Sequence, residues 1–151
     1  HRMLFETHSA GADLTTIRGC GTRLHPNAPG TTPEDHMFAM DGPGVLKLAI
    51  KLLPAFIQRL LPPDDPPLEL VVPHQSSKTG MNVAARMFER HAGVSADKFV
   101  DVLADFGNCV SASIPGALYG AIREGRLQRG DRFLMVGTGA GLSLAGVVAT
   151  Y

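Results

Sequence analysis

A histidine, an asparagine and a glycine cluster each stand just after a run of apolar residues in this chain. His74 follows Leu68 to Val72 and Pro73. Asn108 follows Phe99 to Leu103 and the turn-like Asp105-Phe106-Gly107. Gly137-Thr138-Gly139-Ala140-Gly141 follows Arg132 to Val136. An imidazole donates or accepts a proton near neutral pH. A carboxamide offers N–H donors that do not titrate. A glycine-rich turn exposes backbone N–H groups that can hold a developing oxyanion. Together the three suit polarisation of a carbonyl, and they bring no nucleophile. Each also has a plainer reading: a histidine that only hydrogen-bonds, an asparagine that caps a helix, a glycine loop that only closes a hairpin.

The elements that would position these groups can be traced along the chain. Arg2 to His8 reads as a strand. Residues 9–36 are rich in Gly, Pro, Thr and Asn without periodicity and read as a long loop, a length that in a compact domain tends to carry function. After the short apolar Met37 to Met40, Asp41-Gly42-Pro43-Gly44 announces a helix to about Leu61, with Asp41 as cap and Pro43 in the first turn. Lys47, Lys51 and Gln58 share one narrow stripe of that helix, so most of its circumference should be buried. Pro54 should bend it. Leu68 to Val72 is a strand. Ser76 or Ser77 caps a helix from Lys78 to about His91, which Gly93 stops. Phe99 to Leu103 reads as a further strand.

A third helix covers about Val110 to Glu124. It is dense in small residues, among them Ser113, Gly116, Ala117, Gly120 and Ala121, and is expected to be the most enclosed of the three. Arg132 to Val136 and Leu142 to Thr150 are the closing strands. Alternating strands and helices predict an α/β fold: a five-stranded, mostly parallel sheet with an antiparallel last strand and helices on both faces. Loops after parallel strands emerge at one edge of such a sheet, so His74, Asn108 and the glycine loop should meet there.

Composition narrows the function classes. At 151 residues, 44% of them hydrophobic and 19% charged, the chain reads as one globular domain over 1–151. Lys plus Arg equals Asp plus Glu at 14 each, so bulk charge points to neither nucleic acid nor an anionic membrane. The most apolar stretch, Val45 to Leu61, is broken by Lys47, Lys51, Pro54, Gln58 and Arg59, and is not expected to span a membrane. His1 to Phe5 reads as strand and not as a secretory signal. Cys20 and Cys109 sit in dissimilar contexts, so a disulfide is not expected and a reducing, cytoplasmic setting is. His8, His25 and His36 match no common ligand spacing, so no metal site is expected. The glycine loop is not a dinucleotide fingerprint: Gly141 comes one residue early for G-x-G-x-x-G, and a strand follows it instead of a helix.

Three motifs, Val71-Val72-Pro73-His74-Gln75, Asp105 to Pro115 and Gly137 to Leu142, resemble the C-terminal half of the β-ketoacyl-acyl-carrier-protein synthase III family, in the thiolase superfamily. Met40-Asp41-Gly42 and Gly125 to Asp131 fit as well, and the likeness runs in order along essentially the whole chain. It implies a thiolase-like half-domain, two of which stack as α/β/α/β/α with one helix of each in the central layer. It implies an acyltransferase in fatty-acid or related biosynthesis that condenses an acyl thioester with malonyl-carrier protein and releases carbon dioxide. His74 and Asn108 would be catalytic, on the malonyl thioester carbonyl, and the Ala140 N–H would form part of the oxyanion hole. Gln75, Lys78, Thr138 and Gly139 would border the substrate.

The family's nucleophilic cysteine lies in an N-terminal half, and neither Cys20 nor Cys109 matches its motif, so this chain alone is expected to be inactive. Acyl-CoA and a phosphopantetheine-bearing acyl carrier protein would be substrates, no cofactor would be permanently bound, and the full-length protein would be a homodimer. At the place of an arginine that contacts CoA phosphate in the family stands Thr79, with Lys78 beside it as a possible point charge. Thr138 stands where an aromatic is common. Two other readings remain open at this level: another acyl-thioester transfer on the same scaffold, and a non-catalytic binding or assembly module that keeps the fold.

Overall fold

The computed structural model describes all residues 1–151. Strand β1 spans Arg2–Gly11, followed by the short pair β2 (Thr15–Thr16) and β3 (Ala39–Met40), helix α1 (Gly42–Leu60) and strand β4 (Leu70–Pro73). Helix α2 covers Lys78–Ala92, α3 is one turn over Leu103–Phe106, and α4 covers Ser113–Arg123. Strands β5 (Arg132–Gly139) and β6 (Gly141–Thr150) close the chain. The expected caps are in place. Asp41 Oδ1 accepts from the Gly44 N–H at 2.9 Å, Ser77 Oγ accepts from the Gly80 N–H at 3.1 Å, and Gly93 takes the left-handed conformation that ends α2. Helix α1 runs unbroken through Pro54.

The main sheet has the order β1-β6-β5-β4. β4 and β5 are parallel, and β6 is antiparallel to both β5 and β1, so β6 alone opposes the common direction. The expected strand at 99–103 is corrected. It shrinks to one parallel bridge, Val71↔Phe99, with the Val100 N–H on the Val71 carbonyl at 2.9 Å, and Leu103 already begins the short helix α3. The physical reason is local: Asp101 Oδ1 accepts the Leu103 N–H at 3.1 Å and turns the chain before a ladder can extend. The loop expected at 9–36 is shorter at its start, since β1 runs on to Gly11. Beyond that it carries β2, which pairs with β3 just after the loop, and a turn of 3-10 helix at Pro33–His36.

Alternation along the strands sorts residues to two faces. Leu134, Val136, Leu142, Leu144 and Val148 pack with α1 and α2 around Phe56, Ile57, Leu60 and Phe88. On the other face Leu70, Val72 and Phe133 meet Ala117 and Ala121 of α4. Helices therefore cover both faces, and the second is covered only in part. Met3 and Phe5 point to that second face, 77% and 67% exposed, paired across β6 with Val147 and Ala145. Helix α4 is not the most enclosed of the three: Tyr119 is exposed, and a Cβ added at Gly116 or Gly120 would meet nothing within 4 Å.

Candidate active site

The common direction of β1, β4 and β5 brings their following loops to one edge of the sheet. There the His74 N–H donates to the Val136 carbonyl at 2.8 Å, carrying the β4–β5 ladder one residue past the end of β4. The same parity that sends Val72 to the α4 face sends the His74 side chain there. It lies over Gly137, where an added Cβ would sit 3.3 Å from His74 Cβ and 3.3 Å from Ile114 Cδ1. Gly137 thus leaves room for an imidazole between β5 and α4. His74 is half-buried, and desolvation pushes its pKa below the ordinary histidine value. At neutral pH the ring is uncharged, with one N–H donor and one acceptor.

Asn108 comes to the same place by a sharp turn. Gly107 has φ +65° and Val110 has φ +51°, a left-handed conformation that a β-branched residue rarely takes. The Asn108 carboxamide oxygen accepts the Val110 N–H at 2.9 Å and holds this turn. Its Nδ2 donates to the Ser76 carbonyl at 3.3 Å, joining the asparagine directly to the His74 loop. A carboxamide nitrogen has two N–H bonds, and the second is not used within the chain. The structure therefore joins the two loops that carry His74 and Asn108.

Ala140 is the tip between β5 and β6. Its carbonyl accepts from Ser143 Oγ at 3.2 Å, and Ser143 Oγ lies 3.1 Å from Thr7 Oγ1 of β1. The Ala140 N–H has no partner within the chain. Thr138 and Gly139 are exposed at the end of β5, paired with Leu144 and Ser143.

Two expected substrate neighbours are otherwise engaged. Gln75 is fully buried, and its carboxamide is spent inside the fold: Nε2 donates to the carbonyls of Pro73 and Val100, each at 3.0 Å, and Oε1 accepts the Val102 N–H at 2.9 Å. Both of its N–H bonds are used inside the fold. Lys78 Nζ sits 2.6 Å from Asp101 Oδ2, and that bond holds the Asp101 carboxyl below the usual carboxylate range. The cysteines are exposed and free. Cys109 Sγ turns to the Phe106 carbonyl at 3.2 Å, and Cys20 Sγ lies 3.8 Å from His36 Nδ1.

Ser76, a cap candidate by sequence, instead receives Asn108 on its backbone carbonyl, and Ser143, whose hydroxyl meets the Ala140 carbonyl, is marked by no motif. Gly137 is more than part of a loop. The neighbouring apolar Val136 and the facing His74 are the signal that could have singled it out.

Comparison with known proteins decides the family. Residues 63–151 match the family model described as 3-oxoacyl-[acyl-carrier-protein (ACP)] synthase III C terminal. The chain belongs to this family. It is 35% identical over 127 residues to the β-ketoacyl-[acyl-carrier-protein] synthase III of Neisseria gonorrhoeae, a match covering 82% of this chain and 38% of that protein. It is 33% identical over 148 residues to that of Desulfitobacterium hafniense, covering 94% of this chain and 43% of the relative. The solved 3-oxoacyl-[acyl-carrier-protein] synthase III from Aquifex aeolicus VF5 aligns with a TM-score of 0.78 at 25% identity, covering 99% of this chain and 43% of that one. The synthase III structure from Thermus thermophilus gives 0.75 at 28% identity, with 99% and 45% covered. The thiolase-like fold expected from sequence is the observed one. The chain spans about two fifths of the length of the synthase III relatives it matches.

Proposed function

We propose that this chain is the C-terminal catalytic portion of a synthase III-like condensing enzyme. The observation that carries the reading is the joined pair of loops at the sheet edge. A neutral His74 N–H and the unused Nδ2–H of Asn108 stand on loops tied by the Asn108–Ser76 hydrogen bond, with the unpartnered Ala140 N–H at the same edge.

The chemistry follows from those donors. A malonyl thioester loses its carboxylate as carbon dioxide when the electron pair of the breaking C–C bond can move onto the thioester oxygen. His74 and Asn108 donate hydrogen bonds to that oxygen and stabilise the enolate. Neither group has to change charge, which suits a neutral imidazole. The enolate carbon then attacks the carbonyl of an acyl group held on a cysteine. The resulting oxyanion is stabilised by the Ala140 N–H and the cysteine's own N–H. Collapse expels the cysteine thiolate and leaves a 3-oxoacyl thioester. The cysteine belongs to the portion of the relatives' length that this chain does not match, so the chain alone lacks the acyl-transfer step. The reading further assigns acyl-CoA and acyl carrier protein as substrates, a homodimeric full-length enzyme, and no permanently bound cofactor. With Lys78 already paired to Asp101, the CoA phosphate has no unpaired lysine at this spot.

The test combines the chain with a nucleophile-bearing N-terminal half and follows carbon dioxide release from a malonyl thioester. His74→Ala and Asn108→Ala should each cut the rate by about 10²–10³, the cost of one such donor. Unchanged rates in both variants would remove His74 and Asn108 from the chemistry. No thioester-dependent activity in any combination would favour a binding or assembly module.

A further inference from the structure

We infer that Gln75 is a positioning residue that sets the spacing between His74 and Asn108. This inference rests on the reading of the site given above. The geometry is specific. The two donors stand on different segments: His74 on the loop after β4, and Asn108 at the far end of the 99–108 segment. That segment is bound to the sheet edge by little, since its ladder with β4 is one bridge at Phe99. Past that bridge, beside the exposed Lys78–Asp101 pair, the buried attachment is the Gln75 side chain. One N–H holds the Pro73 carbonyl at the end of β4, the other holds the Val100 carbonyl, and the side-chain oxygen takes the Val102 N–H.

A carboxamide is the side chain suited to this. It has two donors on one atom and an acceptor on the other, and here they meet two backbone carbonyls and one backbone N–H. Gln75 therefore replaces the ladder that the turn at Asp101 cuts short. Beyond Val102 the segment passes through α3 to Asn108, which returns to the same loop through Ser76. The result is a closed ring of contacts: Gln75 ties residues 100–102 to the His74 loop at one end, and Asn108 ties back to it at the other. Without the Gln75 strut, the 3.3 Å bond from Asn108 to Ser76, the bridge at Phe99 and the exposed Lys78–Asp101 pair are left to hold two donors in register on one oxygen. Small misplacements of such groups carry large rate costs.

The experiment uses the chain assembled with a nucleophile-bearing half and measures malonyl-thioester decarboxylation, at a temperature where circular dichroism shows every variant folded. Gln75→Met keeps the volume and removes all three hydrogen bonds. The expected result is a fall in kcat of about 10–100-fold, with KM for the thioester changed less than about threefold. Gln75→Glu supplies the second handle, including for the case in which Gln75→Met fails to fold. Its carboxyl offers one donor, and only when protonated, so above the pH at which His74 protonates the ratio of its kcat to the native value should rise as pH falls.

His74→Ala runs alongside. If His74→Ala abolishes the activity while folded Gln75→Met or Gln75→Glu keeps the native kcat and pH profile, Gln75 is only a structural residue and the inference is overturned. If His74→Ala also leaves the rate unchanged, the reading of the site fails, and the inference fails with it for that separate reason.

Discussion

The two faces of the sheet are built to different degrees of completion. On the α1–α2 face a cluster of 17 buried residues closes over the strands, centred on Phe56, Ile57, Leu60 and Phe88, all fully buried. On the α4 face the buried cluster has seven residues, and one half of the face, over β6 and β1, has no helix above it. Met3, Phe5 and Tyr119 lie exposed there, beside a helix whose Gly116 and Gly120 leave its backbone bare. His74 belongs to this second face, over Gly137 and against Ile114. Under the function proposed above, this difference divides stability from chemistry within one small domain: the finished face holds the sheet, and the open face carries the proposed donors at its margin.

That division can be broken or sharpened by substitution. The largest effect on stability belongs to the finished face. Phe56→Ala removes a fully buried ring and should cost about 3–5 kcal/mol in urea unfolding. A similar loss from Phe5→Ala, whose ring is exposed, would contradict the division. His74→Ala should do the opposite. In the assembled enzyme its decarboxylation rate should fall about 10²–10³-fold, while the unfolding midpoint of the chain stays within a few degrees of the native value.

The pH dependence of His74 sharpens the same point. Its folded pKa lies below the ordinary value because burial disfavours the charged ring. The unfolded chain therefore binds more protons between the two values. The stability contributed by the neutral ring is fully present above about pH 6.5 and is lost as pH falls toward the folded pKa. The decarboxylation rate should hold to a pH below that of a free histidine and then decline, if protonation upsets the donor arrangement. An acid limb centred above pH 7 would mean that a carboxylate stabilises the charged ring in the assembled site. Next in size is Gly137→Ala. Its Cβ would press His74 and Ile114 at 3.3 Å each, so a cost of about 1–3 kcal/mol is expected. A rate loss larger than the stability loss would show that the imidazole, and not the helix, gives way.

Much of this arrangement was legible in the sequence because its signals were local. Asp41, Ser77 and Gly93 announced helix ends by their own chemistry, and the Val71-to-Gln75 and Gly107-Asn108 motifs placed the donors at the correct edge. What was not legible depends on partners distant in the chain. The 99–103 segment has a strand's composition, yet its ladder is preempted by the Asp101 side chain. Gln75 looks like a polar residue at a site mouth, and only the backbone of residues 100–102, some 25 positions on, turns it inward. The small residues of α4 read as those of an enclosed helix, yet Gly116 and Gly120 face open space.

The smallest expected effect tests whether the margin of the open face is solvated as it stands. Lys78 and Asp101 pair at 2.6 Å with side chains 69% and 36% exposed. A pair so placed contributes about 0–1 kcal/mol, since water screens it and two flexible side chains must be held. Removing the lysine should therefore leave Asp101 useful, because its other oxygen still accepts the Leu103 N–H and keeps the turn that follows the bridge at Phe99. Lys78→Ala should lower stability by no more than about 1 kcal/mol, and high salt should erase most of the difference. The Asp101 carboxyl should then titrate higher, as the lysine hydrogen bond is the largest cause of its lowered pKa. If the loss exceeded about 2 kcal/mol and resisted salt, the pair would be shielded from water, and this margin of the site would already be closed within the chain itself.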